Sequence, residues 1–139
     1  MRFFHEIPVR YADTDAQGHV FFANYLTYFD ESMTFFLKHH GIDAAELEDS
    51  GCGFVYADAQ CRWRGTGATF GETVRVQCEL GAIGNTSITF QCAVLGSDQR
   101  LICEGQIVVV CVCPKAKTKR PVPAAIRQRL GKKDTLSHG

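Results

Sequence analysis

No apolar run in this chain approaches the roughly 18 residues that a membrane-spanning helix needs, so no span is expected. Neither sign of charge prevails: Lys and Arg number 15, and so do Asp and Glu. That balance removes the general electrostatic signal of a nucleic-acid binder. The opening residues alternate in polarity and do not form the apolar stretch of a signal peptide. H-E-x-x-H, an EF-hand loop, a Walker loop and G-x-S-x-G are all missing. Gly65 and Gly67 do not begin a dinucleotide fingerprint, because the pattern fails at Phe70 and no βαβ unit surrounds them.

Cysteine is plentiful, with seven residues, yet the pattern is not that of a disulfide scaffold. The number is odd. Cys61, Cys78, Cys92, Cys103 and Cys111 fall in apolar or alternating runs, where free Cys behaves as a small hydrophobe. Cys111 and Cys113 lack zinc-ligand spacing. The expected setting is the reducing cytoplasm.

A length of 139 residues with 45% hydrophobic content supports one core. The expectation is a single domain over 1–139. Its charges are unevenly placed: seven basic and 14 acidic residues precede Pro114, and eight basic and one acidic follow from there. The body is acidic and the tail, from about 114, is basic. The tail reads as loop or short helix, with its last residues, KKDTLSHG, fraying.

Residues 3–12 alternate and are rich in aromatic and β-branched types, which predicts a strand, with Pro8 at an edge or bulge. From 24 to 40, Tyr25, Leu26, Phe29, Met33, Phe36 and Leu37 recur at helical spacing. Asn24 is placed to cap that helix and Gly41 to end it. A short second helix is expected over 43–49, its acids facing solvent. Strands follow at 54–64, 72–82, 86–96 and 100–112, separated by Gly- and Asn-containing turns short enough for hairpins. A twisted antiparallel sheet can then bury one face on the long helix. The face and edges left over favour self-association, with the Val and Cys residues of 107–113 as an interface.

The polar prelude to the long helix, Asp13-Thr14-Asp15-Ala16-Gln17-Gly18-His19, offers the first candidates for chemistry and equally reads as a structural turn. Paired carboxylates can divide acid and base roles; aspartates in a turn also serve local backbone bonds. Asp13, Asp15 and His19 are a weak metal set without a supporting motif. His19 suits a positioning role as well as that of a base. The unpaired N–H groups at a helix start near Phe22–Asn24 can stabilise charge developing on a carbonyl oxygen. Arg62 and Arg64, and Lys115 and Lys117, suit a phosphate-rich ligand or a solvated surface.

Residues 11–31, YADTDAQGHVFFANYLTYFDE, resemble the opening motif of the hotdog-fold acyl-CoA thioesterases, in particular the 4-hydroxybenzoyl-CoA thioesterase group. The likeness rests on the second Asp, Gly18, the apolar pair before Asn24, and Asn24-Tyr25-Leu26. It continues as a helix-then-sheet plan over roughly 3–113. It implies an α+β hotdog fold: a twisted antiparallel sheet of about five strands wrapped around one long central helix. It also implies a homodimer or homotetramer with sites between subunits. Coenzyme A enters as part of the substrate, with no further cofactor and no metal. By position Asp15 matches the catalytic carboxylate, nucleophile or general base, and Phe22 the residue whose backbone N–H polarises the thioester carbonyl. Asp13, Gly18, His19, Asn24 and Tyr25 are positioning residues. Arg62, Arg64, Lys115 and Lys117, chosen on charge and sheet ends, would bind CoA. Phe54 and Tyr56 would lie near the acyl group. The E-x-x-R pattern of related sequences is absent, since the run here is Glu31-Ser32-Met33-Thr34. The implied reaction is hydrolysis of an acyl- or aroyl-CoA to the free acid and CoA. A carrier-protein thioesterase and a non-catalytic acyl-CoA binding module are the alternatives.

Overall fold

The computed structural model describes residues 3–138, with side chains through 131. The elements are β1 (Phe3–Pro8), α1 (Asn24–His39), α2 (Ala44–Asp49), β2 (Gly53–Trp63), β3 (Thr73–Ile83), β4 (Ser87–Leu95), β5 (Leu101–Cys113), the two-residue β6 (Thr118–Lys119) and α3 (Ala124–His138). A short 3-10 turn, Tyr11–Asp13, follows β1. Every strand pairing is antiparallel, in the order β1-β3-β4-β5-β2, with β6 added to β5. Pro8 lies at the end of the edge strand β1, opposite Thr73. There its missing N–H interrupts nothing central.

The sheet curls around α1, as the hotdog arrangement requires. Tyr25, Phe29, Met33, Phe36 and Leu37 form the buried stripe of α1 and meet Val76, Phe90, Val94, Ile102 and Val109 from the sheet. The Phe36 and Phe90 rings meet edge to face with centroids 5.9 Å apart. Each such side chain contributes roughly 1.5–3 kcal/mol by leaving water. Ser32 breaks the apolar stripe, and its hydroxyl donates to the Val76 carbonyl at 3.0 Å, so the buried polar atom is satisfied. At Gly105 β5 comes so close to β2 that a Cβ would lie 1.8 Å from the Gln60 carbonyl oxygen.

Three expectations need correction. Asn24 does not cap α1: the cap position is Ala23, without a side-chain bond, and the Asn24 amide is engaged elsewhere. The first strand stops at Pro8 and does not run to residue 12, because the chain enters the 3-10 turn at Tyr11. Within 107–113, Val109 and Cys111 are fully buried and β5 lies between β4 and β2. The outer strand on that side is β2, whose residues from Val55 to Gln60 are exposed. The tail is more than a loop or short helix: α3 has 15 residues, and Val122, Ile126 and Leu130 bury against the domain. The side chains of KKDTLSHG, on which fraying was expected, lie outside the described residues. The short helix α2 forms as expected, with Asp43 accepting from the N–H groups of Ala45 and Glu46.

Candidate active site

The segment between β1 and α1 is a small hairpin. Thr14 pairs with Val20, and the Asp15 N–H donates to the His19 carbonyl at 2.8 Å. Gly18 turns the chain at φ +82°, a left-handed conformation that favours glycine. The Phe21 N–H then donates to the Asp13 carbonyl at 2.9 Å. Asp15 is thereby folded back beside the residues that open α1.

The two aspartates occupy opposite environments. Asp13 is buried, 5% exposed. Its carboxylate accepts from the Arg10 N–H at 3.1 Å, from the Arg10 guanidinium at 2.9 Å and from the Tyr28 hydroxyl at 3.0 Å. Burial alone would raise its pKa, but the Arg10 and Tyr28 hydrogen bonds outweigh that and hold it below the usual carboxylate range. The Tyr28 phenol is pushed up, first by burial and then by this carboxylate. Both Asp13 oxygens are therefore committed to the fold. The Asp13 carbonyl also accepts from the Asn24 side-chain amide at 2.9 Å, which is where the expected cap went.

Asp15 is exposed. Its Oδ1 accepts from the Gln17 N–H at 2.9 Å and the His19 N–H at 3.3 Å. Among the described residues, Oδ2 has no partner. One oxygen is anchored and the other is open. A few residues on, the backbone N–H of Phe22 has no acceptor among the described residues and lies at the positive end of the α1 dipole. The Phe22 ring, 61% exposed, is set between Phe21 and Trp63 at 4.9 and 6.0 Å.

A second loop, residues 65–72, braces this hairpin, and the sequence reading did not single it out. The Val20 N–H donates to the Ala68 carbonyl, His19 pairs with Thr69, and the buried Tyr25 hydroxyl accepts from the Ala68 N–H at 3.0 Å. Tyr25 is a structural post, and burial leads the rise in its pKa. The brace itself is tied down by Arg100, which donates to the carbonyls of Thr66 and Gly67 and pairs with Glu72. The Glu72 carboxylate, held by Arg100 and by the Thr69 N–H, falls to about pKa 2. His19 takes part through its backbone, accepting from the Asp15 N–H and pairing with Thr69.

The structure does not gather the four cations that the sequence suggests. Arg62 and Arg64 are exposed on the outer face of the sheet, where Arg64 pairs with Glu104 at 3.0 Å. A polar row, Gln60, Gln106, Gln91 and Glu79, crosses the same face. It is Trp63, between the two arginines, that points toward Phe22 and Tyr25. Lys115 and Lys117 are exposed in the β5–β6 turn, twelve and fourteen residues beyond Cys103, the partner of Trp63. They therefore lie past the Gly53 end of β2, the end opposite Trp63.

A family model described as the Thioesterase-like superfamily matches residues 9–130. The acyl-CoA thioester hydrolase YbgC of Escherichia coli O6:H1 is 29% identical over 121 residues, which span 86% of this chain and 90% of that one. The DHNA-CoA thioesterase of Staphylococcus aureus superposes with a TM-score of 0.91 at 18% identity, covering 99% of this chain and 93% of that one. The gentisyl-coenzyme A thioesterase BH1999 gives 0.82 at 25% identity, covering 91% and 98%.

Proposed function

The chain belongs to the Thioesterase-like superfamily, and from that membership we propose that it hydrolyses an acyl- or aroyl-CoA thioester, with Asp15 as the reacting carboxylate. Thioester hydrolysis is the activity of the class. The observation that carries the assignment of Asp15 is its divided carboxylate: Oδ1 is fixed by two backbone N–H groups while Oδ2 is open. The Phe22 N–H receives the carbonyl oxygen as charge develops on it, aided by the α1 dipole. Oδ2 then attacks the carbonyl carbon, expelling the CoA thiolate and leaving an acyl-aspartyl anhydride that water cleaves. Alternatively it takes a proton from the water that attacks.

The active protein is a homo-oligomer joined along β2. That strand is long and unpaired on its outer side, and Val55 and Tyr56 are 47% and 60% exposed. An edge of that kind invites pairing with a second copy. Antiparallel pairing about the middle of β2 sets the Gly53 end of one copy against the Trp63 end of the other. It would carry Lys115 and Lys117 of the second copy toward the Phe22 site, where they can meet CoA phosphates.

The test compares wild type with Asp15→Asn on short, medium, long and aromatic acyl-CoAs. Loss of turnover with retained acyl-CoA binding supports the assignment. Unchanged turnover in Asp15→Asn removes Asp15 from the mechanism, and no turnover by wild type on any member leaves the binding-module alternative.

A further inference from the structure

A groove runs between α1 and the inner side of β2, starting at the helix N-terminus. Phe54, Tyr56 and Ala59 line its β2 wall. The pairing with β5 slips by one residue between Tyr56 and Asp58, which keeps Ala59 on the same side as Tyr56. The groove holds two cavities. The nearer, about 310 Å³, is walled by Leu26, Thr27, Ala59 and Ile107. The farther, about 470 Å³, is walled by Met33, Thr34, Leu37, Ile42 and Phe54. Among the described residues, Tyr56 alone lines both.

Tyr56 does not swing free between them. Its hydroxyl donates to the Asp30 carboxylate on α1, so the phenol ring is strapped across the groove. The nearer cavity is apolar apart from Thr27 and this bridge, and the farther combines Met33, Leu37, Ile42 and Phe54 with Lys38, Asp43 and Glu48. On the reading that this protein hydrolyses acyl-CoA, we infer that the Tyr56–Asp30 bridge is the end wall that limits acyl length. Asp30 lies eight positions after Phe22, about 12 Å along the helix at 1.5 Å per residue. An extended alkyl chain, with C–C bonds of about 1.5 Å, advances about 1.3 Å per bond and spans that in roughly nine or ten bonds. A longer chain must either press its end against the hydrogen-bonded pair or break it and leave the Asp30 carboxylate facing hydrocarbon. Without the strap the second cavity becomes a continuation of the first.

The experiment uses S-alkyl-CoA thioethers of four to sixteen carbons, which bind without being hydrolysed, beside the matching acyl-CoA thioesters. Binding is measured by calorimetry on wild type, Tyr56→Ala and Asp30→Ala, each checked by thermal melting. Wild-type affinity should rise by about fourfold per methylene up to about ten carbons and then stop rising. In Tyr56→Ala the rise should continue to about fourteen carbons, a gain of about 250-fold for that ligand. Asp30→Ala, which frees the ring and leaves it in place, should shift the limit in the same direction by less. An identical limit in all three proteins overturns the inference, as does a failure of any thioether to bind. A limit that moves for thioethers while no protein hydrolyses any thioester keeps the end wall and overturns the hydrolase reading instead.

Discussion

Tyr28 donates its hydroxyl to Asp13 at 3.0 Å across fifteen positions of sequence, tying the first helical turns of α1 to the root of the site hairpin. The same carboxylate takes the Arg10 guanidinium, which is itself 75% exposed. Asp13→Ala should therefore cost about 2–4 kcal/mol, because it leaves a buried hydroxyl and a backbone N–H without an acceptor. Tyr28→Phe should cost about 1–2 kcal/mol and Arg10→Ala less than Asp13→Ala. Urea unfolding of the three variants gives the order.

Glu72 predicts an acid dependence of stability. Its carboxyl falls from 4.5 to about 2 on folding, chiefly through the hydrogen bond from Arg100. A depressed carboxylate stabilises the fold fully above its unfolded pKa and loses that contribution as pH falls through the folded value. The loss should spread between about pH 4.5 and about 2, with Asp13, also lowered, acting in the same direction. Glu72→Gln should flatten this part of the profile, measured as unfolding free energy against pH.

Gly105 and Gly18 should fail differently when changed to alanine. At Gly105 the new methyl would overlap the Gln60 backbone, so β2 must part from β5. Poor soluble yield, or rapid amide exchange along β2, is the expected outcome. At Gly18 a Cβ meets nothing within 4 Å, and only the positive φ is strained. Gly18→Ala should cost about 1–2 kcal/mol and lower thioester turnover more than it lowers stability.

The thiols should react in a strict order. Cys52, Cys78, Cys92, Cys103 and Cys111 are buried. Burial leads the rise of the Cys103 thiol. Cys113 is half-buried, and its pKa is lowered by the Ala116 and Lys115 N–H groups, then by the nearby Arg120 and Lys115 charges. A disulfide reagent should modify Cys113 first in the native protein, Cys61 slowly, and the other five only after denaturation. Fast loss of three or more thiols under native conditions would contradict this.

Periodicity made most of the framework legible. The apolar stripe of α1 and the alternation of four strands were strong local signals, and the boundaries of those elements fell within a residue or two of the structure, while the first strand ended four residues before the expected position. The failures came from contacts that local pattern does not carry. Asn24 looked like a cap, but a carbonyl eleven positions earlier took its amide. The face that Arg62 and Arg64 occupy, opposite Trp63 on β2, was not indicated by the charge for which they were chosen. The tail was read by its charge, while Val122, Ile126 and Leu130, spaced four apart, held the signal for a packed helix. Arg100 gave no sign at all: Glu72 and the loop carbonyls it joins lie 28 to 34 positions away.

The hairpin bearing Asp15 is held by residues that the ribosome delivers about fifty positions later, since His19 pairs with Thr69 and Val20 with Ala68. A nascent chain ending at α1 has the Asp15 carboxylate but not the loop that braces its hairpin. The brace in turn waits for Arg100. Ordering of the site is therefore a late event in folding, dependent on loop closure across half the chain. The growing polypeptide carries no braced hairpin until its sheet is nearly complete.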